Sequence, residues 1–261
     1  MKEKHIKMLE DCDKYLFQKI LNCPVSASVE GYHIELNTKP IRFIILSRKF
    51  MFLWSLLQKS DVELVKRVFD IQRKIQIENS WVQVVKRELA DCEIQLSFEE
   101  ISQCTKTQFK SLVSRKVSEY SKRYLLDIQQ KWSKTKNLII SEKIKPYLIS
   151  DKISLIEKQT LYQLRCRIEN VKNNYKSSYK NNLECLFCKS ENSIDSVQHY
   201  LESCSYFKQK DHFHKKIKGV KYEHIFNGSF EEQVRVVRIW LKIQEHRKLV
   251  DVAWLKRVTF I

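Results

Sequence analysis

The chain has 261 residues, 43% of them hydrophobic and 30% charged, which is the balance of a globular protein with a buried core. Only 3 Gly and 3 Pro occur in the whole length, so turn-rich β architectures are disfavoured and a mainly α fold is predicted. The 48 Lys+Arg against 31 Asp+Glu give a formal charge of +17, which points to a polyanionic partner, nucleic acid before a membrane surface.

In chain order, the first predicted element is a short amphipathic helix over residues 8 to 21. Leu9, Tyr15, Leu16, Ile20 and Leu21 are its apolar positions, and Cys23-Pro24 ends it. A polar, extended loop is expected from there to Pro40. Residues 41 to 58 are strongly hydrophobic and read as a core helix, with Arg42, Arg48 and Lys49 requiring a wet or anionic face. The apolar run from Phe50 to Leu57 is far short of the ~20 residues that cross a bilayer. Residues Met1 to Lys4 lead into no apolar signal region, so an intracellular protein, nuclear or cytoplasmic, with reduced thiols is expected.

Five helix starts carry a capping-box pattern: Ser60/Glu63, Ser97/Glu100, Thr105/Gln108, Ser154/Glu157 and Ser229/Glu232. After Thr105 comes the clearest periodicity, a stripe of Phe109, Leu112, Val113, Val117, Tyr120, Tyr124, Leu125 and Ile128. Its other side carries Lys110, Arg115, Lys116, Lys122 and Arg123. Such a face is either simply solvated or binds nucleic acid; the shortage of acidic i,i+4 partners favours the second. Pro146 makes residues 133 to 150 a connection, and a further helix runs from Leu155 to Val171 with Arg165 and Arg167 on it.

Lys172, Tyr175, Lys176, Tyr179 and Lys180 then pair cations with aromatic rings. That combination can stack bases and neutralise phosphates together, or form a polar linker. Beyond residue 204 the chain stays basic through Lys208, Lys210, Lys215, Lys216, Lys218 and Lys221. A last helix covers Phe230 to about Leu249, with Val234, Val237, Trp240 and Leu241 facing inward.

The most specific pattern is Cys185, Cys188, His199 and Cys204, spaced C-x2-C-x10-H-x4-C. Four soft ligands within twenty residues suit one tetrahedral zinc ion, and four protein ligands leave no position for water, so the site is structural. His212, His214 and His224 fall outside that spacing. Cys12, Cys23, Cys92 and Cys166 are scattered and read as small hydrophobes. No Gly-rich phosphate loop, G-x-S-x-G elbow or metal-holding aspartate pair is found. The nearest carboxylate pairs, Asp11/Asp13 and Glu99/Glu100, fall where a helix start favours acidic charge, so no catalytic residue is assigned and no enzyme is expected.

Taken together, Asp13-Lys14-Tyr15-Leu16, Tyr32-His33-Ile34-Glu35-Leu36, Lys39-Pro40-Ile41-Arg42, Arg48-Lys49, Leu161 to Arg167 and the CCHC knot resemble a family in order and spacing. That family is the C-terminal part of the reverse transcriptases encoded by non-LTR (LINE-type) retrotransposons. Asn37 departs from it, standing where the family often has glycine.

The resemblance implies thumb-like and zinc-knuckle parts without the polymerase fingers and palm, and hence a protein that binds RNA or DNA but does not synthesise DNA alone. It implies phosphate contacts by Arg42, Arg48 and Lys49, a contribution from Arg165 and Arg167, and a strand passing Lys172, Tyr175, Lys176, Tyr179 and Lys180. Four regions follow: a thumb-like region 1–132, a connection 133–171, the knuckle module 172–210, and a basic segment with the last helix, 211–261. The rival readings are a zinc-stabilised protein-interaction module and, ranked lower, a restriction-like endonuclease.

Overall fold

The computed structural model describes residues 3–23, 27, 29–75, 78–131, 137–141, 143–168, 171, 183–188 and 193–258. Among them lie thirteen α-helices and no β-strand, as the scarcity of glycine and proline predicts. The helices are α1 (Glu3–Leu21), α2 (Val29–Leu36), α3 (Ile41–Leu57), α4 (Leu64–Ile75), α5 (Trp81–Asp91), α6 (Phe98–Gln103) and α7 (Lys106–Lys131). They continue as α8 (Pro146–Ile149), α9 (Leu155–Arg165), α10 (Ser205–Gln209), α11 (Asp211–Ile217), α12 (His224–Asn227) and α13 (Phe230–Val258). No described helix is long and apolar enough to cross a membrane.

The chain divides into two compact units, Met1–Tyr15 with Thr38–Lys131, and Leu16–Asn37 with Trp132–Ile261. This differs from the four consecutive regions expected. Residues 16–37 leave the N-terminal region and fold with the C-terminal half, and the metal-binding stretch shares a unit with α13 rather than standing alone.

The first unit is built on α3, whose Phe43, Phe50, Leu53 and Leu56 are buried against Phe109, Val113 and Val117 of α7. The α7 residues recur every four positions, one face of a 3.6-residue turn. Phe43 meets the rings of Tyr120 and Tyr124 edge-on at 5.5 and 5.3 Å. Val82, Val85, Leu89, Phe98 and Ile101 of α5 and α6 complete the cluster. Each such side chain contributes roughly 1.5–3 kcal/mol on burial, so truncating Phe50 at the centre would cost about 3–5 kcal/mol.

Four of the five expected capping boxes form, at Ser97/Glu100, Thr105/Gln108, Ser154/Glu157 and Ser229/Glu232. The fifth does not: Glu63 pairs with Lys59 at 3.0 Å, and α4 starts only at Leu64. Ser80, not foreseen, caps α5 by accepting from the Gln83 amide at 3.3 Å.

In the second unit the expected loop between Pro24 and Pro40 contains α2, with Tyr32, His33, Ile34 and Glu35 all buried. Eight residues with Gly31 among them have little intrinsic helicity, so packing makes this helix. Tyr32 stacks on Tyr162 of α9 at 5.6 Å and meets Phe17 at the same distance. Asn37, with φ 49°, ends α2 in the left-handed region, where glycine is the usual residue and asparagine its nearest substitute. The helix from Leu155 stops at Arg165 rather than Val171, because Arg167 turns to φ 52°. In α13, Val234, Val237 and Trp240 are buried as expected, Leu241 is half-buried, and the helix runs nine residues past the predicted end.

Candidate metal centre

Two short segments clasp each other to start the site. The Cys185 amide donates to the Ser193 carbonyl at 2.9 Å and the Asp195 amide to the Leu183 carbonyl at 2.6 Å, around a single antiparallel bridge between Glu184 and Ile194. This sets Cys185 and Cys188 opposite the segment that enters a π-helical turn, His199–Ser203. Just ahead of that turn, the Ser196 hydroxyl accepts from the His199 amide at 3.1 Å.

The widened turn matters for ligand geometry. Five residues along an α-helix leave two side chains about 140° apart, which separates ligands. Here the Cys204 amide reaches back five residues to the His199 carbonyl at 2.8 Å, closing that gap. The spacing alone did not reveal this device.

The four ligand atoms lie within 4.8 Å of one another. Cys185 Sγ and Cys204 Sγ are 3.9 Å apart, and Cys188 Sγ and His199 Nε2 are 3.3 Å apart. A tetrahedral ion about 2.3 Å from each sulfur spaces its ligands by roughly 3.8 Å, so these residues fit one metal ion. All four corners are protein atoms.

The imidazole is oriented from behind. His199 Nδ1 lies 3.0 Å from Ser203 Oγ, and that hydroxyl donates to the His199 carbonyl at 3.3 Å. With its hydrogen on that carbonyl the hydroxyl oxygen can accept from Nδ1–H, the tautomer that would leave the Nε2 lone pair for a metal. The Cys185 thiol is held down at about 4, first by the hydrogen bond from Cys204 and then, against burial, by the amides of Cys188 and Phe187. Cys204, sharing that proton, is pushed up correspondingly.

Aromatic rings hold the site in place. Phe187, between the two first cysteines, stacks on Tyr206 at 5.0 Å and meets Phe207 at 4.9 Å. Behind them Asp195, fully buried, takes Arg247 of α13 at 2.5 and 3.3 Å and the Tyr200 hydroxyl at 2.5 Å. The same Arg247 donates to the Tyr200 oxygen at 2.7 Å. This buried triad ties the segment carrying the four candidate ligands to the last helix.

The cations expected to meet nucleic acid are placed unevenly. Arg165 is buried and donates to Glu35 at 2.8 and 3.0 Å and to the Ile225 carbonyl at 2.6 Å; its guanidinium is enclosed in the fold and closed to phosphate. Arg42 is half-buried and bidentate on Glu10 at 2.6 and 3.0 Å, and Lys49 pairs with Glu88 at 2.6 Å. Arg48 is exposed, whereas Arg167 is half-buried. Lys172, Tyr175, Lys176, Tyr179 and Lys180 lie outside the described residues. On α7, Lys110 and Arg115 are exposed, but Glu93 engages both Lys116 and Arg123 across the turn after α5.

A cationic cleft missed in the sequence lies in the second unit. Lys152, Lys216, Arg235, Arg238 and Lys242 line a cleft of about 630 Å3 together with the acids Glu231 and Glu245 and apolar residues that include Phe230 and Val234; Arg238 also pairs with Glu157 at 2.7 Å. The Lys242 ammonium sits so close to Lys216 that it pulls the Lys216 pKa below the usual lysine range. Lys215, Lys216 and Lys218 stand out in the sequence as part of a basic run, whereas nothing in the residues around Lys242 marks it.

Comparison with protein-family models, curated proteins and solved structures finds no match for this chain.

Proposed function

We propose that the protein is a nucleic-acid-binding protein whose second unit is held together by one structural zinc ion at Cys185, Cys188, His199 and Cys204. Three thiolates and an imidazole favour zinc over harder ions, and a closed shell stabilises the fold rather than activating water. Binding falls to the exposed cations, and no reaction is assigned to the chain. The resemblance to the C-terminal part of non-LTR reverse transcriptases supports the same reading.

The observation that carries it is the gathering of five cations, Lys152, Lys216, Arg235, Arg238 and Lys242, against two acids, Glu231 and Glu245, around one cleft, with Lys216 and Lys242 side by side. Two ammonium groups at close range repel each other, and a phosphodiester between them would remove that cost. Phe230 and the aliphatic residues would take the sugar or base beside it. The fluorescence anisotropy of labelled single-stranded RNA and duplex DNA, titrated with the full chain across a salt series, tests this. Affinity falling steeply with salt supports phosphate binding; a flat response removes it.

A further inference from the structure

The solvent side of α4 carries an apolar seam that none of the described residues covers. Leu64, Val68, Ile71 and Ile75 are spaced four, three and four residues apart and are 75, 45, 51 and 61% exposed, and Val65 widens the strip. That spacing is the a/d repeat by which two helices interlock. The helix cannot rotate to hide it. Its other face is anchored by Phe69, 2% exposed, against Trp81 and Phe98 at 6.1 and 5.5 Å, and by the ion pair of Arg73 with Glu99 of α6.

Along one edge of the seam stand Arg67 and Lys74, seven residues apart and exposed, neither in an ion pair among the described residues. The other edge, Val65 and Gln72, carries no charge. A seam with one positive edge specifies its complement: a helix with its own a/d seam and acidic residues on the edge that meets Arg67 and Lys74. A second copy of this chain suits the face less well, because it brings the same +17 charge and, packed antiparallel, sets cation against cation. A membrane surface also suits it less, since the strip is narrow, largely β-branched and without aromatic residues.

We infer that the exposed face of α4 is a docking site for an amphipathic helix of another protein, with an aliphatic seam and an acidic edge. The inference is independent of the metal centre and of nucleic-acid binding.

The probes are two labelled helical peptides of about three heptads, with Leu and Ile at a and d and with either Glu or Lys at e and g. Each is titrated into the full chain by anisotropy. The Glu peptide binds saturably and the Lys peptide does not. Val68→Asp with Ile71→Asp abolishes binding, while circular dichroism and melting temperature stay at the unsubstituted values because both positions face solvent. Arg67→Glu with Lys74→Glu, which leaves the seam intact, weakens the Glu peptide about tenfold and gains the Lys peptide. Equal binding of both peptides, or of neither, overturns the inference. So does a seam-dependent dimer in sedimentation, or seam-dependent pelleting with phosphatidylserine vesicles.

Discussion

Arg165 and Glu35, 130 positions apart in sequence, form a fully buried two-pronged ion pair at 2.8 and 3.0 Å that joins α9 to α2. The Tyr147 hydroxyl donates to the same carboxylate at 2.7 Å, and burial together with that carboxylate raises the phenol well above its ordinary range. Removing one partner leaves the other charge buried alone, which costs about 3–5 kcal/mol. Glu35→Gln and Arg165→Met should each lower unfolding free energy by that order in urea titrations followed by tryptophan fluorescence. Nucleic-acid affinity of the folded Arg165→Met protein should match that of the unsubstituted chain; a loss of affinity without loss of stability would return Arg165 to the binding surface.

Ser203 is not among the four candidate ligands but orients one of them, His199, through its Nδ1 at 3.0 Å. Ser203→Ala should weaken metal binding about 10–100-fold, because the imidazole loses its tautomer and orientation partner. Competition against a chromophoric chelator measures this, and unchanged affinity would show that the hydroxyl has no such role.

Lys216 and Lys242 stand for two phosphate contacts if the cleft holds a strand. Replacing both by Ala should flatten the dependence of log K on log salt by roughly 1.4 to 1.8, at about 0.7 to 0.9 per contact. Equal slopes would place the strand elsewhere on the molecule.

Acid should destabilise the fold through a set of carboxylates held below the ordinary glutamate range. Glu93 is held there by hydrogen bonds from Arg123 and Lys116, and Glu99 by one from Arg73. At Glu157 burial pushes the other way, but hydrogen bonds from Arg238 and the Ser154 cap prevail. A depressed folded-state pKa means that the unfolded chain takes up protons first. The stabilisation is therefore complete above the unfolded glutamate pKa and is lost as pH falls through the folded values. Melting temperature should drop across that window, and Glu93→Gln should make the drop shallower; a profile that Glu93→Gln leaves unchanged would remove this carboxylate from the set.

Much of this architecture is legible in the residues where local chemistry decides the outcome. The capping boxes at Ser97, Thr105, Ser154 and Ser229 mark real helix starts because side chain and backbone satisfy each other within four residues. The four residues of the candidate metal centre are found for the same reason, since their spacing is short and their chemistry specific. What the sequence hides is long-range. Helix α2 forms because Tyr32 and Glu35 meet Tyr162 and Arg165, partners about 130 residues away that no local window contains. Arg165 reads as a surface cation for the same reason: its identity says charged, and only the distant Glu35 says buried. The π-helical turn behind His199 and the Lys216–Lys242 pairing likewise depend on geometry that composition does not carry.

Metal analysis of the purified full chain by plasma mass spectrometry, with urea unfolding of the same samples, reaches the central claim most directly. One zinc per chain is expected, with none in Cys185→Ser or His199→Ala protein, and stripping the metal should unfold the segment around Phe187, Tyr200 and Phe207. A chain that carries no metal yet keeps the same unfolding transition in all three proteins would contradict it.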